Sequence, residues 1–157
     1  MTHWELCQAE IAICNIHQDR LEMAIEETQT LFPITVEKLA KISPSELSFL
    51  ELMTSRFAKL QDTMGQKLFP QILKLLKEDL QNKSFLDYLN SLEKIGALPS
   101  VEFWIELREV RNSVAHEYPD KPELTVEKLN LCRQKAKELL TYWAVLKGFM
   151  QDRLSER

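Results

Sequence analysis

Residues 43–80 read SPSELSFLELMTSRFAKLQDTMGQKLFPQILKLLKEDL, and how this stretch starts and where it breaks decides the fold. Ser43 is placed as an N-cap, Pro44 at the first helical position and Glu46 three residues on, where its carboxylate closes a capping box. Leu47, Leu50, Phe57, Leu60 and Met64 then recur on one side of a long helix. Pro70 lacks the N–H that an internal helical residue donates, so a kink or break is expected there. After it QILKLLKEDL resumes the helical period.

The same pattern extends outward in both directions. Over residues 2–32 an apolar stripe runs through Trp4, Cys7, Ile11, Cys14, Leu21, Ile25 and Phe32, in steps of three and four with a gap at Gln18. FPIT at 32–35 breaks it. Downstream, Ser84 caps a short helix over FLDYLNSLEKI, with Gly96 as its C′ residue. Ser100 starts a further helix whose Val101, Trp104, Ile105, Leu107 and Val110 are expected to face inward and which Pro119 ends. A last helix spans about 123–153, with Leu129, Cys132, Ala136, Leu139, Trp143, Leu146 and Met150 as its stripe. No stretch alternates as a strand does. The expectation is an all-α chain, one domain over 1–157, built as an up-and-down four-helix bundle with the 84–95 helix as an extra.

Bulk properties narrow the function classes. A length of 157 residues suffices for one substantial core. No apolar run reaches the roughly 20 residues of a membrane span and no charged-then-apolar leader opens the chain, so a cytoplasmic protein is expected. Three cysteines, with Cys7 and Cys14 too far apart along one helix to bond, fit a reducing compartment. A net charge of −4 gives no general attraction to nucleic acid, so any such role rests on a local patch. No phosphate loop, nucleophile elbow or paired-carboxylate motif is present. The pairs His3/Cys7 and Cys14/His17 have helical metal-ligand spacing, but about 16 Å separates them along a straight helix, and an apolar stripe explains them better.

The densest chemistry is REVRNSVAHEYPD, residues 108–120. Arg111, Asn112, His116 and Tyr118 fall within eight positions at an expected helix end. Asn112 and His116 are four apart and share a face. Arg111 and His116 are five apart, about 140° around the axis and about 7.5 Å along it, so they do not converge on one straight helix. A shared substrate requires a distorted helix end or a second copy of the chain. His116 is expected in the last turn, where the helix dipole favours imidazolium and suits proton transfer. Arg111 suits a phosphate. Such groups are those of a metal-free ribonuclease: a histidine to move the proton of the ribose 2′-hydroxyl, an arginine to hold the phosphorane. Asp62, on the long second helix, is a candidate partner for Arg111. Glu106, Glu109 and Glu117 flank the basic residues and point to a weak or narrowly selective RNA binder. Lys67, Lys74, Lys77 and Lys83 are a candidate rim for the RNA backbone.

RNSVAHEY resembles the arginine, four residues, histidine, one residue, tyrosine motif of the HEPN superfamily, specifically its HepT-like toxins. Helix order, chain length and the position of the motif near the end of the penultimate long helix agree with that resemblance. It implies a toxin of a toxin–antitoxin pair, a homodimer that brings its two motifs together for composite, metal-independent ribonuclease action on cellular RNA (tRNA or mRNA), with no cofactor. Carried over, Arg111 and His116 are catalytic and Asn112 orients or binds substrate. Tyr118 matches the tyrosine to which an MntA-like nucleotidyltransferase antitoxin transfers AMP, placing negative charge beside the site. The alternatives are a non-catalytic helical partner or substrate-binding subunit of a nucleotidyltransferase, and a helical adaptor with no enzymatic role.

Overall fold

The computed structural model describes residues 1–116 and 118–154; Glu117 lies outside the described residues. Among these the chain is all-helical and no strand forms. The elements are α1 (His3–Glu27), α2 (Val36–Ala40), α3 (Pro44–Thr63), a π-turn (Met64–Leu68), α4 (Phe69–Leu75), α5 (Phe85–Lys94), α6 (Val101–Val114) and α7 (Pro122–Arg153). α1 packs along α3, α6 packs along α7, and α3 touches both α6 and α7. One hydrophobic core joins them, with Phe57, Leu60, Leu139, Trp143 and Leu146 fully buried. No described helix is long and apolar enough to cross a membrane.

The caps read from the sequence are present. Ser43 accepts from the Glu46 N–H while Glu46 Oε1 accepts from the Ser43 N–H at 3.0 Å. Ser84 and Ser100 cap α5 and α6, and Gly96 ends α5 in the left-handed region at φ 81°. The gap at Gln18 also has a physical explanation. Gln18 Oε1 and Asn15 Oδ1 accept hydrogen bonds from Trp143 Nε1 and Lys147 Nζ on α7, so the stripe is interrupted by a polar seam.

Several expectations need correction. α1 stops at Glu27, before FPIT, because Thr28 Oγ1 donates back to the Ala24 carbonyl at 2.7 Å and a 3₁₀ turn follows. Ile105 and Leu47 face outward, 39% and 43% exposed, Ile105 one position off the buried stripe of its helix and Leu47 in the first turn of α3, ahead of the first buried residue, Leu50. α4 ends at Leu75, where Lys77 turns into the left-handed region.

Pro70 does not break the long helix. The chain inserts one extra residue ahead of it: the Phe69 N–H donates to the Met64 carbonyl, five residues back, and Pro70 then occupies the first turn of α4. This π-turn buries Gly65 against the indole of Trp104. A Cβ at Gly65 would lie 3.2 Å from Trp104 Cζ2, and the indole is itself wedged against Phe69 at 4.6 Å between centroids. Gly65→Ala therefore gains helix propensity but overpacks the contact. A net loss of about 1 kcal/mol is expected in a denaturant titration, with an altered Trp104 environment in the near-UV circular dichroism.

Candidate functional site

The last two turns of α6 present Arg108, Arg111 and Asn112 on one side, at positions i, i+3 and i+4. Opposite them stand Gln61 and Asp62 at the end of α3 and Gly65 and Gln66 on the π-turn. Phe85, at the start of α5, and Trp104 complete a groove of about 500 Å³. The extra residue of the π-turn and the bare Cα of Gly65 let α3 and α6 approach closely enough for their side chains to meet.

The pairing of Asp62 with Arg111 is present and bidentate. Arg111 Nε donates to Asp62 Oδ1 at 2.9 Å and Nη2 to Oδ2 at 2.8 Å. This hydrogen bonding with Asp62 pushes the guanidinium pKa further up, so the charge is permanent and its plane is fixed. Two of the five N–H donors are taken by the carboxylate, leaving three for a ligand.

His116 lies elsewhere. α6 ends at Val114 with Ala115 as its cap, so the imidazole sits past the helix rather than in its last turn. The break comes before Pro119 because Ser113 Oγ and Lys128 Nζ engage the carbonyls of Val110 and Ser113, closing the helix early. His116 is exposed, and its ring makes no hydrogen bond among the described residues. It faces a second, more apolar groove of about 300 Å³, with Leu47, Leu50, Val114 and Leu129 as floor and Thr54, Tyr118 and Lys128 among its walls. Tyr118 is half-buried; Lys128 Nζ sits 3.9 Å from its ring centroid, a cation–π contact that holds the ring in place. Within one chain, then, Arg111 and Asn112 line one groove while His116 and Tyr118 line another.

The candidate lysine rim is not part of either groove. Lys67, Lys74, Lys77 and Lys83 are exposed and line neither. Residues that the sequence reading passed over are Gln61, Arg108 and Lys128. Arg108 was open to discovery by helical spacing, three residues before Arg111. Nothing local to Gln61 or Lys128 distinguished them, since their roles depend on which helix each one faces.

The two cysteines of α1 are packed in the core, while His3 is exposed. Burial pushes the Cys7 thiol up to about 11 and the Cys14 thiol up to about 12, which keeps both protonated. Cys7 contacts Met150 at 3.9 Å between sulfurs. His17 Nδ1 accepts a hydrogen bond from Arg56 Nη1 at 2.9 Å, which places the imidazole proton on Nε2. No three His, Cys, Asp or Glu side chains among the described residues gather as a metal-binding group.

Comparison of the chain with protein-family models, with curated proteins and with solved structures finds no match.

The His17 contact predicts a pH dependence of stability. Burial, then Arg56, Lys59 and Arg20, hold its pKa below the ordinary 6.5. The unfolded chain therefore takes up a proton near 6.5 that the folded chain resists, and stability falls as the pH drops through that value. Between about pH 7.5 and 5.5 the wild-type denaturation midpoint should decline, and His17→Gln should flatten that decline.

Proposed function

We propose that the chain is a HEPN-type ribonuclease toxin of a toxin–antitoxin pair, folded as a four-helix bundle with α5 as an addition and active as a homodimer. The observation that carries this reading is the separation of Arg111 and His116 into different grooves at the end of α6. Neither groove alone holds both the arginine and the histidine of the motif. A two-fold axis beside the α6 ends would set Arg111 of one protomer against His116 of its partner, in an isologous interface with two equivalent composite sites.

In that site each residue has a role that follows from its chemistry. Arg111, oriented by Asp62, presents its remaining N–H donors to the non-bridging oxygens of the scissile phosphodiester. Charge grows on those oxygens as the 2′-oxygen attacks phosphorus, and the fixed guanidinium stabilises it without reorganising. His116 of the opposite protomer, solvent-accessible and with a ring that makes no hydrogen bond among the described residues, takes the 2′-hydroxyl proton or delivers one to the departing 5′-oxygen. Asn112, exposed beside Arg111, orients the sugar–phosphate. Activity is independent of metal ions.

Tyr118 is the control point. Transfer of AMP from ATP by an MntA-like nucleotidyltransferase would form a bond between the Tyr118 oxygen and the α-phosphorus and release pyrophosphate. The added phosphate and adenosine would then share the groove of His116. Lys128, already over the Tyr118 ring, stands where it would neutralise the phosphate.

Subunit mixing tests the composite site directly. Arg111→Ala and His116→Ala homodimers should each fail to cleave total RNA in EDTA. Exchanged together in equal amounts, they should recover about a quarter of wild-type activity, because half the dimers carry one intact site. Complete silence after verified subunit exchange, with the wild type active, would place both residues in one protomer's site and sink the composite arrangement. An inactive, unmodified wild-type dimer would remove the nuclease assignment and leave the role of a nucleotidyltransferase partner.

A further inference from the structure

The groove beside Arg111 is larger than a phosphate requires, and what lines it is selective in hydrogen-bonding character. Among the described residues its only carboxylate, Asp62, has both oxygens engaged by Arg111. Gln61 is 3% exposed and lines the groove, yet its Nε2 is buried with no partner among the described residues. A buried donor left in that state costs free energy that a ligand acceptor would return. Arg108 forms no ion pair among the described residues; its guanidinium is instead held 5.1 Å over the centroid of Phe85. Phe85 thus fixes the Arg108 donors in place without consuming them.

Donors in surplus, an arginine held on an aromatic ring and a volume of about 500 Å³ describe a receptor for a planar ring that brings two adjacent acceptors. Among the bases, guanine presents O6 and N7 side by side and is the one most often read by an arginine fork. Adenine puts an amine in place of O6, which would meet the donors of Arg108 and Gln61 head-on. Uracil offers no such adjacent pair. We propose that this groove is a guanine-binding subsite, Arg108 reading the O6/N7 edge and Gln61 Nε2 donating to the base from the floor. This rests on the ribonuclease reading only for its purpose: the guanine would be that of the nucleotide flanking the scissile phosphate, so the enzyme would cut beside guanines. The arrangement also accommodates an acidic chain, because selectivity then comes from base contacts and not from general attraction to the RNA backbone.

Calorimetric titration of the unmodified dimer with guanosine, adenosine, cytidine, uridine and inorganic phosphate tests the subsite without requiring turnover. Guanosine should bind about tenfold or more tightly than adenosine, and Arg108→Ala should erase that preference. Gln61→Leu should weaken guanosine; if that variant does not fold by circular dichroism, Arg108→Ala decides alone. Sequencing of cleavage ends gives a second readout, with guanine enriched at the wild-type cut and the enrichment gone in Arg108→Ala. Guanosine selectivity that depends on Arg108 in a protein that cuts no RNA would keep the subsite and discard the nuclease. Cleavage with no base preference and no guanosine binding would do the reverse. Binding of phosphate alone, a preference for cytidine, or guanosine affinity unchanged in Arg108→Ala would each overturn the proposal.

Discussion

The indole of Trp104 resting on the bare Cα of Gly65 sets how closely α3 and α6 approach, and much of the molecule follows from that distance. One side of the approach is built by the π-turn, which rotates the chain after Asp62 and delivers Pro70 to a position where its missing N–H is harmless. The other side is built by aromatic packing, with Trp104 pressed on Phe69 and edge-on to Tyr142, whose hydroxyl donates to the Ala97 carbonyl at 2.7 Å. Core and groove are therefore two faces of one contact. Asp62 reaches Arg111 because Gly65, one turn later, allows it. π-turns cost hydrogen-bond geometry, and their recurrence at functional positions reflects this ability to re-aim a helix.

What was legible in the sequence was what depends on local chemistry. Ser43–Pro44–Glu46, Ser84, Ser100 and Gly96 carry their roles in side-chain or backbone preferences that need no tertiary partner, and each marks the helix end expected. Stripes with one apolar residue at each turn, such as Cys132 to Met150 on α7, also held. The π-turn did not show, because an inserted residue shifts the period by one and only a neighbour such as Trp104 makes the shift worthwhile. His116 fell outside α6 for a similar reason: Lys128, from the next helix, takes up the Ser113 carbonyl and helps end the helix early. The pairing of Asp62 with Arg111 could be named in advance, but the division of the motif between two grooves could not, since it depends on which side of α6 each neighbouring helix occupies.

A chain with net negative charge has arranged several of its cations so that they stay put. Arg111 is forked onto Asp62, Arg108 lies over Phe85 and Lys128 over Tyr118, while Arg133 stacks on Phe32 and donates to the Ile25 carbonyl. A fixed cation loses less side-chain entropy when it meets a ligand than a solvated lysine does. The exposed lysines of α4 and the loop after it lack such anchors among the described residues, which separates them from the groove in chemistry as well as in place.

The three cysteines have a consequence of another kind. Cys7 and Cys14 on α1 and Cys132 on α7 are free and buried, and burial raises every one of their thiols, Cys132 to about 12. At neutral pH none offers a thiolate, and none can be reached from solvent while the helices are packed. A chromogenic disulfide would thus be consumed only as fast as the interior opens, with α1 and α7 timed separately by leaving one thiol at a time. The core carries its own clock for how often, and from which side, the protein comes apart.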